Sequence, residues 1–445
     1  MSGLSERVKR ASAALPAGTI PIGLGLFVNG VVTFVFLKLA YTAIDDDHER
    51  YLTTLWFLIF TLAPGLLLPL EQELGRAISA RRHHGEGSLP VVKRAGALGG
   101  TMIGVVVLIA LALSPFYIDT AFAGSTAMLA VFLLGLPTYA LYYLFRGVLS
   151  GSHSFASYGW LLAAEGFIRI GLCIIFLIFG ATHESFYAST LVLAPLMTLA
   201  ILARRERGIL KPGPVARWAE LTNALGWLVI AQVFAQFLMN AAPLAVSLLT
   251  HEGTDEERAV ATHYGLGFLV ARVPLYLFAA VQAALLPKLS RLIAGGFVTE
   301  FKAGMRQLYA VIAGVTVVFS FGAYLFGPGV IETLYGPEYV LSSQTFIALG
   351  LASGAFMFAT AFAQGLIAIA KYRDVAFAWA VGAITFVGTI TIGDDVIMRA
   401  NMAFLAGSTA AAVTGAWRLS VRLKQHVPGP HLELERDDPE LVVEL

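Results

Sequence analysis

The sequence predicts an all-α membrane protein whose helices form two related halves. Three observations predict it. Of 445 residues, 57% are apolar and only 13% are charged, whereas a soluble domain averages about a quarter charged. Mean hydropathy is +0.75, more apolar surface than a water-soluble chain of this length can bury, though a bilayer can accommodate it. The third observation is an internal correspondence between positions about 218 residues apart.

A helix needs roughly 20 mostly apolar residues to cross the hydrocarbon core. Twelve stretches qualify, at about 18–44, 51–70, 95–114, 126–149, 157–179, 185–203, 221–249, 262–286, 307–326, 343–369, 374–393 and 400–418. Helices satisfy their own backbone hydrogen bonds in lipid, and barrel strands would alternate in polarity rather than run evenly apolar. The first stretch follows a short basic start, Met1–Arg10, and is too long for a signal-peptide core, so it reads as a retained span.

Threading twelve spans leaves all but six of the 30 Lys and Arg on one side. The exceptions are Arg50, Arg258 and Arg399 in opposite loops, and Lys38, Arg169 and Arg272 within spans. The positive-inside rule assigns the basic side to the cytoplasm. The expectation is a multi-pass protein of the bacterial cytoplasmic (inner) membrane with both termini cytoplasmic. The loops are too short for a separate catalytic core.

The loop 204–220 contains Lys211-Pro212-Gly213-Pro214 and separates six spans from six. Residues 1–210 form an N-terminal lobe and 211–425 a C-terminal lobe. Residues 426–445, with Pro428, Pro430 and six acids, read as an acidic disordered cytoplasmic tail. Leu67-Leu68-Pro69 closes the second span as Leu285-Leu286-Pro287 closes the eighth. Gly147 ends the fourth as Gly365 ends the tenth. Phe122-Ala123-Gly124 and Leu334-Tyr335-Gly336 occupy equivalent outer loops. With six spans per half, the repeats are parallel, and transporters of that kind bind substrate between halves.

Much chemistry is absent from the sequence. No lysine follows a glycine, so there is no Walker A loop. There is no His-Glu-x-x-His, and the single Cys173 permits neither a disulfide nor a cysteine metal site. No cofactor or metal is expected. The net charge of +1 gives no bulk attraction to nucleic acid. The nine histidines all fall in loops or at span ends. Asp45-Asp46-Asp47 in the first outer loop reads as a solvated charge run. The other reading is a divalent-cation site, as in membrane glycosyltransferases that use polyprenyl-phosphate sugars, but the loop is too short for an acceptor.

Charges within spans cost roughly 2.5–3.5 kcal/mol each and tend to face a wet cavity or a partner. Arg272, mid-span in the eighth helix, is either a cavity cation awaiting an anion or a donor to a neighbouring carbonyl. Glu165 and Arg169 lie one turn apart on the fifth span; they satisfy each other, or Glu165 titrates as a coupling carboxylate and frees Arg169. Lys38 is near the outer end of the first span, within snorkelling reach of water. Asn29 adds a polar group to the first span. Gln232, Gln236 and Asn240 form a stripe on the seventh, either a helix contact or a cavity wall.

These residues also carry a resemblance. Arg272-Val-Pro274-Leu-Tyr-Leu-Phe followed by Leu285-Leu286-Pro287-Lys288-Leu-Ser290-Arg291 resembles the eighth-helix signature of the multidrug/oligosaccharidyl-lipid/polysaccharide (MOP) exporter superfamily. Phe145-Arg146-Gly147-Val-Leu-Ser-Gly151 with Phe155-Ala-Ser-Tyr158 and Glu165…Arg169 is similar to the fourth-to-fifth helix junction of its polysaccharide-transport (Wzx-type) flippase branch. So are Leu334-Tyr335-Gly336-Pro-Glu338-Tyr339 and the inner segment Glu71-Gln72-Glu73-Leu-Gly-Arg76 with Arg81-Arg82. The resemblance spans about residues 15–425. It implies two pseudo-symmetric six-helix bundles around a central cavity, and flipping of a polyprenyl-(pyro)phosphate-linked oligosaccharide between leaflets by alternating access. It adds Arg146 to the candidate cations Arg272, Arg169 and Lys38, and matches Arg272 to the family's cavity arginine. Implied partners are the lipid-linked glycan, membrane lipids, and a polysaccharide polymerase and glycosyltransferases. The arginine cluster on the first helix of lipid II flippases and their two extra C-terminal helices are absent. Two alternatives stay open, a multidrug antiporter of the same superfamily and a polyprenyl-phosphate-sugar glycosyltransferase. Against the former, the spans hold three cations and one carboxylate, which favours an anionic substrate; the short loops and missing catalytic motifs favour no enzyme activity.

Overall fold

A computed structural model describes residues 19–221, 225–250, 254–275, 278, 289, 292–293 and 295–425. Twelve α-helices occur among them: α1 (Thr19–Tyr41), α2 (Asp46–His83), α3 (Leu89–Phe122), α4 (Thr126–Gly151), α5 (Phe155–Ile178), α6 (Glu184–Arg205), α7 (Leu225–Leu249), α8 (Asp255–Ala271), α9 (Val298–Tyr335), α10 (Ser343–Ala368), α11 (Tyr372–Thr389) and α12 (Val396–Gln425). Ten are long and apolar enough to cross a bilayer. The other two are α8 and α11, of 17 and 18 residues. The chain is a multi-pass membrane protein, and each predicted span coincides with a helix, except that the second half of 262–286 lies largely outside the described residues.

The helices outrun the spans. Helix α2 has 38 residues rather than the 20 of its apolar stretch, a length of about 57 Å. Hydropathy marks the part that lipid covers, and a helix continues past it wherever polar side chains find partners. Pro69 therefore lies inside α2 instead of closing it, while Leu285-Leu286-Pro287 lies outside the described residues. Helix α2 starts at Asp46, so two of the three acids lie on a helix rather than in a loop. Helix α8 also starts earlier than its stretch, at Asp255, so His263 sits within a helix, its ring 5.1 Å from that of Tyr339.

The internal correspondence extends to packing. In both lobes the first helix packs on the fifth, the third on the fourth, the fourth on the sixth and the fifth on the sixth. The third helix ends alike in each. Helix α3 stops at Phe122, with Ala123 left-handed at φ 52° and Gly124 at φ 70°. Helix α9 stops at Tyr335, with Gly336 at φ 125°. Gly147 and Gly365 lie in the last turns of α4 and α10, both at crowded helix contacts. A Cβ on Gly147 would sit 2.9 Å from the Glu71 carbonyl oxygen, and one on Gly365 would sit 2.9 Å from Leu419.

The lobes meet along an antiparallel seam between α2 and α7. Gly65 faces Val233, the Phe60 carbonyl accepts from Asn240, and Thr54 and Ser247 share a 2.6 Å hydroxyl hydrogen bond. Segment 206–221 joins the lobes at the basic end and is pinned there by Arg81. That buried guanidinium donates to the Gly87 and Pro214 carbonyls and to the Glu220 carboxylate, at 2.9, 2.5 and 2.8 Å.

Candidate transport site

Two polar assemblies lie inside this apolar scaffold. The first fills the N-terminal lobe between α1, α2, α4 and α5. Arg169 is 1% exposed and Glu165 3%, and their side chains form a direct ion pair across one turn of α5. Around the carboxylate, Asn29 Nδ2 and Tyr142 Oη donate to Oε2 at 3.2 and 3.1 Å, and Tyr139 Oη donates to Oε1 at 3.4 Å. The guanidinium lies 5.3 Å from the Trp56 ring centre and 5.9 Å from that of Phe36.

One turn along α4 from Tyr142, a second pair continues the column toward the basic end. Arg146 lies 3.2 Å from Glu71 Oε2 and donates twice to Tyr158 Oη, which donates to Glu71 Oε1 at 2.6 Å. Tyr143 closes one face, 4.4 Å from the guanidinium. The local sequence produces this column. Tyr139, Tyr142, Tyr143 and Arg146 recur every three or four residues on α4, one helical face, and Glu71 and Glu165 come from flanking helices.

This geometry corrects the count of charges. Glu71 lies beyond the second apolar stretch, but the extended α2 carries it into the lobe, where it is buried. Both N-lobe arginines thus face a carboxylate. Neither is a solitary cation lining a cavity, and in this column cations and carboxylates balance two against two. Three arginines at the basic end are engaged by protein groups. Arg81 holds the linker, Arg76 donates to Glu73 and to the Glu220 carbonyl, and Arg82 donates to the Ser152 carbonyl.

The second assembly lies at the seam. Arg272 follows the end of α8 and marks a break in that helix. The Leu275 amide bonds Arg272 O at 2.9 Å instead of Ala271 O, and Ser353 of α10 takes the released Ala271 carbonyl at 3.0 Å. Pro274, two residues on, has no N–H to donate, the usual cause of such a break. The Arg272 side chain is 6% exposed. It donates to Asn240 Oδ1 at 3.0 Å and lies 5.3 Å from the Phe268 ring. Asn240 in turn donates to the Gln236 carbonyl and to the Phe60 carbonyl of α2. The predicted stripe on α7 is therefore both a helix contact and the mount for Arg272. Gln232 is half-buried farther along the same face.

Lys38 belongs to neither assembly. Its Nζ donates to the Tyr335 carbonyl at 2.8 Å, at the end of α9, and Tyr335 Oη donates back to Phe34 O at 3.2 Å. Beside them Tyr339 Oη donates to Glu49 Oε1 at 2.7 Å. Lys38 thus helps tie the lobes together at the end away from the basic loops. Sequence reasoning missed Glu49, Tyr335 and Tyr339 as a group, because their partners lie some 290 residues apart. Among the described residues no cluster of His, Cys, Asp and Glu could hold a metal.

No family model matches the sequence. Uncharacterised proteins of Mycobacterium bovis and Mycobacterium tuberculosis are 23% identical over 418 residues, covering 91% of this chain and 91% of theirs. Among solved structures, a variant of the Vibrio cholerae MATE transporter VcmN superposes with a TM-score of 0.67 at 16% identity, covering 92% of this chain and 96% of the other. An outward-facing multidrug resistance MATE family transporter of the MOP superfamily matches with a TM-score of 0.64 at 14% identity, over 93% and 97% of the two chains. The chain therefore has the two-bundle, all-helical fold of MATE transporters, and these structural neighbours are transporters rather than enzymes.

Proposed function

We propose that this protein is an alternating-access exporter of the MOP type in the cytoplasmic membrane, and that it flips a polyprenyl-(pyro)phosphate-linked oligosaccharide for cell-surface polysaccharide synthesis. Arg272 carries the reading. A buried guanidinium at a helix break, presented to the seam by two carboxamide-bearing residues, supplies what a phosphate group needs when it leaves water: charge-assisted hydrogen bonds in a low dielectric. The half-buried carboxamides of Gln232 and Gln236 suit sugar hydroxyls, while Asn240, buried and fully hydrogen-bonded, holds Arg272.

The test is flipping of a fluorescent polyprenyl-pyrophosphate oligosaccharide in proteoliposomes. Arg272→Ala is expected to lower the rate at least about thirtyfold, equivalent to ~2 kcal/mol for a buried charge contact, with insertion unchanged. Normal flipping by that variant overturns the assignment.

The neutralised N-lobe favours a second reading, multidrug antiport. A buried carboxylate held by an arginine, two tyrosines and an asparagine is an anionic group that a cationic substrate could engage in place of Arg169. On this reading Glu165→Gln abolishes efflux of a cationic dye, and Arg272→Ala leaves it intact.

A further inference from the structure

A groove in the C-terminal lobe has no role in either reading. It lies at the basic end, between α9 and α12 with α10 as its floor, and encloses about 310 Å³. Its wall is graded. Lys302 in the first turns of α9 and Lys424 in the last turn of α12 stand at the mouth. Deeper in, from Met305 one turn below Lys302 to Tyr309 about two turns or roughly 10 Å below it, the lining is Met305, Tyr309, Phe362 and Ala416.

The charges around it are sorted. Arg422 holds Asp374 through Nε–Oδ2 at 2.7 Å and a second contact at 3.3 Å, and Arg418 reaches the same carboxylate at 3.5 Å. Those arginines serve the α11 side of α12. Lys302 and Lys424 are exposed and make no ion pair with any described residue. Two uncompensated cations above an apolar slot match one kind of occupant. Its head is anionic, its body is apolar, and its axis lies along the helices, head toward the basic end. Basic pockets between helices on the cytoplasmic side of membrane proteins take anionic lipid headgroups for this reason.

We propose that this groove binds an anionic phospholipid of the cytoplasmic leaflet, its phosphate between Lys302 and Lys424 and an acyl chain along Met305, Tyr309 and Phe362. The competing occupant is the acidic tail, which begins one residue beyond Gln425. The tail has acids for the mouth, but its apolar residues are interrupted by charge (Leu432-Glu433-Leu434-Glu435), so it fits the graded wall less well than a lipid does.

Native mass spectrometry of the full chain, released from nanodiscs of phosphatidylglycerol and phosphatidylcholine, tests this. One phosphatidylglycerol per chain should persist. Lys302→Ala with Lys424→Ala should weaken its retention about thirtyfold, roughly fivefold per lysine, and Lys302→Arg with Lys424→Arg should keep it. Ala416→Phe, which fills the deep end, should also displace the lipid with both lysines in place. Both lysines are exposed, so an unchanged melting temperature verifies the fold of the alanine pair. Three outcomes overturn the proposal: equal retention of phosphatidylcholine, undiminished retention in the alanine pair, or retention that appears only after the six tail acids are neutralised, which would make the tail the occupant.

Discussion

Glu71 shows how much a single assignment matters. Placed in a loop it is a surface acid; placed on α2 it is the counter-ion of Arg146. Removing one member of a buried ion pair leaves an uncompensated charge and costs about 3–5 kcal/mol. Glu71→Gln should therefore lower thermal stability in detergent by that order, and the double variant Glu71→Gln with Arg146→Met should recover most of the loss. A single variant as stable as the parent would mean that water reaches Arg146. At the linker the prediction is one of pH. Burial opposes ionisation of Glu220, but hydrogen bonds from the Arg217 amide and from Arg81 outweigh it and hold the carboxyl below its ordinary value. A depressed carboxylate contributes its stabilisation above the unfolded pKa, about 4.3 for Glu, and loses it as pH falls through the folded value. Tryptic cleavage at Arg207, run on samples preincubated at different pH, should thus be constant near neutrality and rise after exposure below about pH 4. In Arg81→Ala it should be fast at every pH. Among single residues, Arg169 with Glu165 was legible in the sequence because one turn of helix joins them. Arg146 with Glu71 was not, because they lie 75 positions apart in the chain and only the α2–α4 packing brings them together.

The helices were legible wherever lipid imposes a pattern and illegible wherever protein does. Spans of about 20 apolar residues located every helix, yet α2 and α9 each extend to 38 residues. Their added turns bury polar groups such as Glu71 and Arg81, and hydropathy counts these as loop. The spacing of glycines was also readable, and the structure supplies its cause. On α4, a Cβ on Gly151 would lie 2.5 Å from the Gly75 carbonyl oxygen of α2, closer than any carbon can approach. Small residues allow such backbone proximity in membranes. Gly151→Ala should force α4 away from α2 and destabilise by about 1–3 kcal/mol, the usual cost of overpacking, read as a lower melting temperature. Gly171, whose Cβ would meet nothing within 4 Å, is the control, and Gly171→Ala should be neutral. Helix α8 was half legible. Its apolar stretch runs through Arg272, but the break there needs both Pro274 and the Ser353 hydroxyl, and the latter's contribution is invisible without the fold.

At the scale of the molecule, the lobes share the α2–α7 seam and are fastened at the far end by Lys38 to Tyr335, Tyr335 to Phe34, and Tyr339 to Glu49. A molecule tied at that end and hinged along a seam can open toward that side only after those bonds break. Tyr339→Phe combined with Glu49→Gln should shift the population toward a form open at that end, seen as longer spin–spin distances between labels on the α1–α2 and α9–α10 loops. Unchanged distances would mean that the fastening is incidental. The two-lobe plan itself was readable from the repeat; the fastening was not, since repeats record similarity and these contacts join dissimilar residues. The ion pairs have one further consequence, for how the chain is made. Synthesis proceeds from the N-terminus, and an arginine entering the bilayer alone is costly. Glu71 precedes Arg146, and Glu165 precedes Arg169. Each acid is thus already in place when its base arrives, so each of these arginines can be inserted as half of a neutral pair.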